Sequence, residues 1–415
     1  LKPARVAIGL ALAAAIAWFA VPGWPARFAA TKQVPFADAS FLYQEDVLPK
    51  RASRLTPEDV DTDVAFLLSA LDRAYSGKEH LPPGEYQRLV TRLESLRGLF
   101  MQPHEDRAGD QLCLKIAEIF SAVPDNHLQT YSPFNKQFRP RLVDVGPNVF
   151  QGTGFHITEQ HFAGRTIGIV SLGTSMPPKE DAVWKDFEAR IDQICRRTDA
   201  LILDLRGNGG GMSYNIRWLA SRLYGNPARV ADEIMLSRRS AAVEALLHNE
   251  ATFTILQARR EGSPIQDYQL REKELHLKLC TAWQSLPPRE ERDVRSGSQA
   301  PFNPKAGYDK PVYILIDGGT ASSAEGGFAR FLSHPKVKTF GTNTGGYVHY
   351  GDAVPLVLPR SRIAVSIPTT FRTFSDGRFL EKVGYAPDEG VPEGKDALKV
   401  ALADLTHSWK PAARP

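Results

Sequence analysis

The sequence predicts an α/β protein: a mainly parallel sheet core, preceded by a small helical domain and interrupted by a helical insertion. Three observations predict it. Ala200-Leu-Ile-Leu-Asp-Leu205 and Val312-Tyr-Ile-Leu-Ile316 are nearly continuous apolar runs of strand length, the pattern of strands buried on both faces. Each is followed by a glycine-containing loop and then a helix-like stretch, Met212–Leu223 and Ser322–Leu332, and a repeated strand–loop–helix unit is how a chain builds a parallel sheet. The stretch before residue 130 shows helical periodicity instead.

Taken in order, the chain begins with Lys2 and Arg5 ahead of the apolar run Val6–Val21, and no acid occurs before Asp38. That is the pattern of an export segment. Residues 1–30 are therefore expected to be a signal peptide or a membrane anchor, and the protein to be exported, periplasmic or extracellular. Sixteen apolar residues suit the core of a signal better than a full span, which needs about 20. Trp18 and Trp24 near the exit edge, and the lack of a small-x-small cleavage site, suit an anchor through residues 6–21. A Pro-interrupted linker follows, and then Thr56-Pro-Glu-Asp, which combines an N-cap, a proline at the first helical position and early acids. Val60, Val64, Leu67, Leu68 and Leu71 form one stripe behind it. With helical stretches near 84–99 and 107–119 they make a helical domain over residues 54–128.

The core is expected over residues 140–405. Its first strands are read at Leu142–Val145, Gly154–Thr158 and Thr166–Leu172, and an amphipathic helix at Trp184–Arg197 with Phe187, Ile191 and Ile194 on its apolar side. Residues 228–305 are the insertion. The interleaved charges of Gln269-Leu-Arg-Glu-Lys-Glu-Leu275 read as a helical excursion, either solvated or closing over a cleft as a lid. Strands return at Ala353–Leu358 and Arg362–Pro368, and a short helix closes the chain near Lys395–Leu405.

Composition bounds the function. The 415 residues are 42% hydrophobic and 24% charged with a formal charge of +4, and the basic residues are scattered, so no nucleic-acid partner is expected. Cys113, Cys195 and Cys280 lie far apart, with no C-x-x-C and no histidine at ligand spacing. Neither a disulfide framework nor a zinc site is expected, and no metal or other cofactor is called for. Oligomeric state is not readable from these features.

Two loops carry chemistry. Arg206-Gly-Asn-Gly-Gly-Gly211 follows a buried strand and precedes a helix, which would aim its amides outward at an anion. It is not a phosphate loop, because no Gly-Lys-Ser/Thr follows. Asp317-Gly-Gly-Thr-Ala-Ser-Ser-Ala-Glu325 places two serines at a strand-to-helix turn. Thr320 and Ala324 stand where the G-x-S-x-G elbow needs glycines, which disfavours an α/β-hydrolase. Alone, either serine reads as an N-cap.

In combination the loops resemble the serine peptidases that include the carboxyl-terminal processing proteases and the tricorn core protease. Leu203-Asp-Leu-Arg-Gly-Asn-Gly-Gly210, Thr320-Ala-Ser-Ser-Ala-Glu325, Gly341-Thr-Asn-Thr-Gly-Gly346 and Glu381-Lys-Val-Gly-Tyr-Ala-Pro-Asp388 occur in that family's order. The resemblance implies a crotonase/ClpP-like sheet core and a peptide or unfolded-protein substrate. It makes Ser322, three residues before Glu325, the nucleophile, with Ser323 as the one-residue alternative, and draws the oxyanion hole from the backbone amides of Ser323 and Gly210. The lysine-using branch would carry its base at position 347, which is Tyr347 here. The tricorn-like branch takes a histidine from the end of the helical segment, which implies His127, within Asp125-Asn-His127, as general base. His349 is the alternative base, and Glu381 is the carboxylate that orients the histidine side. Activity should then rise with pH through a histidine range near about 6.5. Fewer than forty residues separate His127 from Arg165, too few for the family's PDZ module.

The expected function is a serine peptidase acting on peptides or extended protein segments. The alternatives are an inactive peptide- or ligand-binding protein of the same fold and a crotonase-like acyl-thioester enzyme.

Overall fold

Strict alternation along the central strands divides the core into two faces. The computed structural model describes residues 36–104, 106–132, 154–175, 181–211, 214–225, 233–292, 307–332, 334–392 and 394–408, so the export segment and the expected strand at 142–145 lie outside the described residues. Strand β2 (Phe155–Phe162) pairs antiparallel with β3 (Arg165–Leu172). β3 then runs parallel to β4 (Ala200–Asp204), β4 to β7 (Val312–Ile316), β7 to β8 (Val337–Gly341), and β8 to the short β11 (Glu389–Gly390). The expected mainly parallel sheet is thus present, in the order β11-β8-β7-β4-β3-β2.

Because side chains alternate across a sheet, Val170, Leu172, Leu201, Leu203, Ile314 and Ile316 share one core with helices α5 (Asp181–Arg197), α6 (Tyr214–Tyr224) and α9 (Ser323–Phe328). Ile167, Ile169, Ile202, Tyr313 and Leu315 face the other way, onto α10 (Ala397–Ser408). Helices therefore cover both faces, and every residue of β4 and β7 is buried.

The helical segment forms as its signals indicate. Thr56 caps α1 (Pro57–Ala74) by accepting from the Asp59 amide, while Asp59 accepts the Thr56 amide in return, and Val60, Val64, Leu67, Leu68 and Leu71 are all buried. The one-turn α2 (Gly77–His80), α3 (Glu85–Leu99) and α4 (Ala108–Ser121) follow. From Asp38 onward the chain packs as one compact unit. Cys113, Cys195 and Cys280 are free thiols.

The strands expected at 353–358 and 362–368 are present, but they belong to a second, antiparallel sheet whose other strands were not read from the sequence. β10 (Ala364–Phe374) lies at its centre, paired with β1 (Gln129–Thr130), β9 (Tyr350–Val357) and β5 (Glu233–Arg239), and β5 pairs with β6 (Arg289–Arg292). β5, Glu-Ile-Met-Leu-Ser-Arg-Arg, has only a three-residue apolar stretch without period-2 alternation, and β6, Arg-Glu-Glu-Arg, is wholly charged, so neither carries a clear strand signal. They bracket the insertion, whose helices α7 (Ala241–Glu261) and α8 (Asp267–Trp283) form a hairpin.

The first helix of the insertion is part of the core, not a solvated excursion. α7 packs on β9, on α1 and on the 3-10 turn Asp38–Phe41. Its buried Asn249 donates to the carbonyls of Phe41 (2.8 Å) and Pro355 (3.1 Å) and accepts the Tyr43 amide (2.6 Å). Ala242, Ala245 and Leu246 are fully buried along it. Arg238, just before α7, donates to the carbonyls of Asp72 and Arg73 at the end of α1, and Ser240 also donates to Arg73. α8, by contrast, is largely exposed. Replacing residues 241–283 by a short Gly/Ser bridge is therefore expected to abolish the cooperative thermal transition seen by circular dichroism. A sharp melt from the bridged chain would show the hairpin to be dispensable.

Candidate active site

Four segments converge at the ends of β4 and β7. Leaving β7, the chain turns through Asp317–Ala321 and places Ser322 at φ +56, ψ −121, a conformation unfavourable for any residue with a Cβ. Its neighbours over-determine that geometry. The Ala321 amide donates to the Asn208 carbonyl at 2.9 Å, Thr320 Oγ1 to the Leu205 carbonyl at 2.8 Å, and the Gly345 amide to the Thr320 carbonyl at 2.8 Å. Glu325 completes the clamp. Its fully buried carboxyl accepts the amides of Ser322 (2.9 Å), Gly346 (2.8 Å) and Tyr347 (2.8 Å) and the Thr344 hydroxyl (2.5 Å). Burial pushes its proton affinity up while these donors hold it down. Sequence reasoning used Glu325 only to count back to the serine; its role in tying that turn to the Thr344–Tyr347 segment needed the structure.

His127 comes from the other sheet. After α4, Asp125 Oδ1 accepts the amides of His127 (2.8 Å) and Leu128 (3.1 Å), a local turn typical of aspartate. Pairing of Gln129 with Ser366 and of Thr130 with Val365 then anchors the segment on β10. The result is a 2.9 Å contact between His127 Nε2 and Ser322 Oγ, across 195 residues of sequence. Tyr347, where the lysine-using branch would carry its base, packs edge-on to the imidazole with ring centroids 5.2 Å apart at 88°.

Glu381 lies in the same cluster, buried, accepting the amides of Asn126 (2.8 Å), Val348 (3.0 Å) and His349 (2.8 Å). One carboxyl oxygen of Glu381, one of Asp125 and one ring nitrogen of His127 lie within 4.8 Å of each other. Burial raises the proton affinity of both carboxyls, and Asp125 raises that of Glu381 further.

Two sequence alternatives are separated from the site by their hydrogen bonds. His349 is not placed to act as base: its Nδ1 faces the Arg372 carbonyl at 2.6 Å and its Nε2 accepts the Leu380 amide at 2.8 Å. Both ring nitrogens are occupied, the ring stacks on Phe379, and burial lowers its pKa, which keeps it neutral. Ser323 Oγ donates to the Gly211 carbonyl, so its hydroxyl bridges to the glycine loop and not to an imidazole.

One expected oxyanion donor is placed differently. The Gly210 amide donates to Asn208 Oδ1 at 3.0 Å, so its hydrogen is directed into the loop and not toward Ser322. Asn208 is fully buried and also donates to the Leu172 carbonyl at 2.9 Å. Gly210 matters here for its lack of a side chain. Its φ is +94, and a Cβ would stand 2.7 Å from the Ala321 carbonyl oxygen and 2.9 Å from Ser322 Cβ. Gly210→Ala is thus expected to displace the serine turn and cut reaction with a serine-directed fluorophosphonate at least about tenfold, at little cost to the far-ultraviolet spectrum. Wild-type labelling by that variant would show that the contact can relax.

The family is decided by a model described as Peptidase family S41, which matches residues 166–391, more than half of the chain. The chain belongs to that family. The S41 match spans both loops, Ser322 and Glu381, while His127 lies ahead of it. Among solved structures, a chain from Parabacteroides merdae ATCC 43184 superposes with a TM-score of 0.50 at 16% identity, covering 85% of this chain and 97% of that one, which supports the fold. The tricorn protease matches with a TM-score of 0.33 at 15% identity, over 59% of this chain and 18% of that one. A curated protein of Chlamydia pneumoniae is 24% identical over 285 residues, 63% of this chain and 46% of its own length. The S41 chain thus spans about half the length of the curated relatives it matches.

Proposed function

We propose that the chain is a serine peptidase that cleaves peptides or extended protein segments, with Ser322 as nucleophile and His127 as general base. The observation that carries this reading is the 2.9 Å contact between His127 Nε2 and Ser322 Oγ, at a serine held in a strained turn within an S41 chain. A serine hydroxyl is un-ionised at neutral pH and needs such a base. His127 Nε2 takes the Ser322 proton as Oγ bonds to the scissile carbonyl carbon, and the imidazolium returns that proton to the leaving amine. Water then enters with His127 again as base, and the acyl–serine bond breaks.

The developing oxyanion is assigned to the Ser323 amide, which has no acceptor among the described residues. Glu381 stabilises the imidazolium from within 4.8 Å. No cofactor enters these steps. The apolar run at residues 6–21 supports a site of action outside the cytoplasm, by export or by anchoring.

Neither alternative is favoured by a specific contact, since a ligand-binding or acyl-thioester role would not require a serine–imidazole pair. Labelling with a fluorophosphonate and mapping of the adduct by mass spectrometry tests the proposal. An adduct on Ser322 is expected; no adduct, or one on Ser323, would overturn the assignment.

A further inference from the structure

The cluster beside His127 holds two carboxyl groups, and the resemblance accounts for one. Asp125 is 1% exposed and Glu381 2%. They approach within 4.8 Å of each other and of the imidazole, yet no hydrogen bond joins the two acids directly. Each is held by other donors: Asp125 by two amides through Oδ1 and by the buried Tyr75 hydroxyl through Oδ2 at 2.8 Å, Glu381 by three amides. The titratable groups facing the pair are Tyr75 and Tyr350, His127, and Lys382. Lys382 Nζ donates to the Ser121 carbonyl at 2.6 Å, and its charge reaches both acids only through space.

Two carboxylates at this separation in a water-poor site repel too strongly to ionise together near neutrality. We propose that Asp125 and Glu381 together carry one proton near neutrality, on one carboxyl or the other, beside the His127 ring, which makes Asp125 a positioning residue of the base. This rests on the peptidase reading for its meaning but not for its test. The pair carries one negative charge at neutral pH, and its last proton leaves only as pH rises further. Because the second charge would favour imidazolium, the pair and His127 titrate together. Removing either acid leaves the other ionised alone, with the same single charge and no second step.

The test is the pH titration of the His127 ring carbon and proton shifts by NMR in the full chain, assigned by the signal lost in His127→Ala. Wild type is expected to titrate in two coupled steps. Asp125→Asn, which can still accept the amides of His127 and Leu128, is expected to titrate in one step with its midpoint lower by about one pH unit. Glu381→Gln should do the same.

Stability supplies a second readout. Both acids have raised proton affinity in the folded state, so their stabilising contribution is present below the ordinary carboxyl range and is lost as pH rises through the raised values. The melting temperature of wild type should therefore fall between about pH 5 and 9 more steeply than that of Asp125→Asn. Should Asp125→Asn fail to fold, Tyr75→Phe keeps both acids but removes a donor from Asp125, and should move the upper step to higher pH. A single-step wild-type titration, or a midpoint unmoved in the variants, would overturn the proposal. Two-step titration in a protein that never labels with fluorophosphonate would leave the pair standing and remove the peptidase reading.

Discussion

Ser322→Ala is expected to lower turnover of an unstructured peptide on the order of 10⁴-fold or more, and to abolish fluorophosphonate labelling, while Ser323→Ala keeps most of both. The two serines are adjacent, but the turn separates their chemistry. Ser322 sits at positive φ with Oγ against His127 Nε2, whereas Ser323 is the first residue of α9 with its hydroxyl on the Gly211 carbonyl. Truncating Ser323 leaves its amide, so an oxyanion would lose no donor. The cost is one hydrogen bond to the glycine loop, worth about 1 kcal/mol in stability. The reverse result, Ser323→Ala dead and Ser322→Ala active, would mean that the strained turn presents the wrong serine.

Substituting the two histidines is expected to separate catalysis from stability. His127→Ala should lose about 10³-fold or more in kcat/KM with a thermal transition close to wild type, since it is a partly buried residue at the cleft. His349→Ala should do the opposite. It removes a buried ring that bridges the Arg372 carbonyl and the Leu380 amide and stacks on Phe379, so a loss of about 2–4 kcal/mol in stability is expected, with labelling retained at temperatures where the variant is folded. In wild type, kcat/KM should rise with pH on the acid side as imidazolium loses its proton. A His127→Ala variant of full activity would end the proposed mechanism whatever His349→Ala does.

Local signals were legible where local physics decides. The Thr56-Pro-Glu-Asp cap, the stripe from Val60 to Leu71, and the apolar runs at β4 and β7 each appear as elements in the structure. A helix stripe or a doubly buried strand is determined by residues within a few positions of one another. Of the antiparallel sheet, β9 and β10 were read as strands but β5 and β6 were not, because those two are short and owe their strand form to partners far along the chain: Leu236 pairs with both Phe371 and Arg292. For the same reason the charge pattern of residues 228–305 suggested an excursion, although α7 is a core helix whose burial depends on β9, α1 and the Asp38–Phe41 turn.

The site divides along the same line. The resemblance carried by the four motif blocks pointed to Ser322, His127 and Glu381 and left Ser323 and His349 as alternatives; the chain pattern by itself placed only the two loops, because a strand–loop–helix unit delivers its loop to a known end of a parallel sheet. Which nitrogen meets which oxygen was beyond the sequence. Only the tertiary structure brought His127 within 2.9 Å of Ser322, occupied both nitrogens of His349, turned the Gly210 amide onto Asn208, and put Asp125 beside Glu381. Each of these depends on contacts between segments from 23 to 195 or more residues apart or on the direction of a single N–H, and a one-dimensional pattern of residue types carries neither distance nor direction.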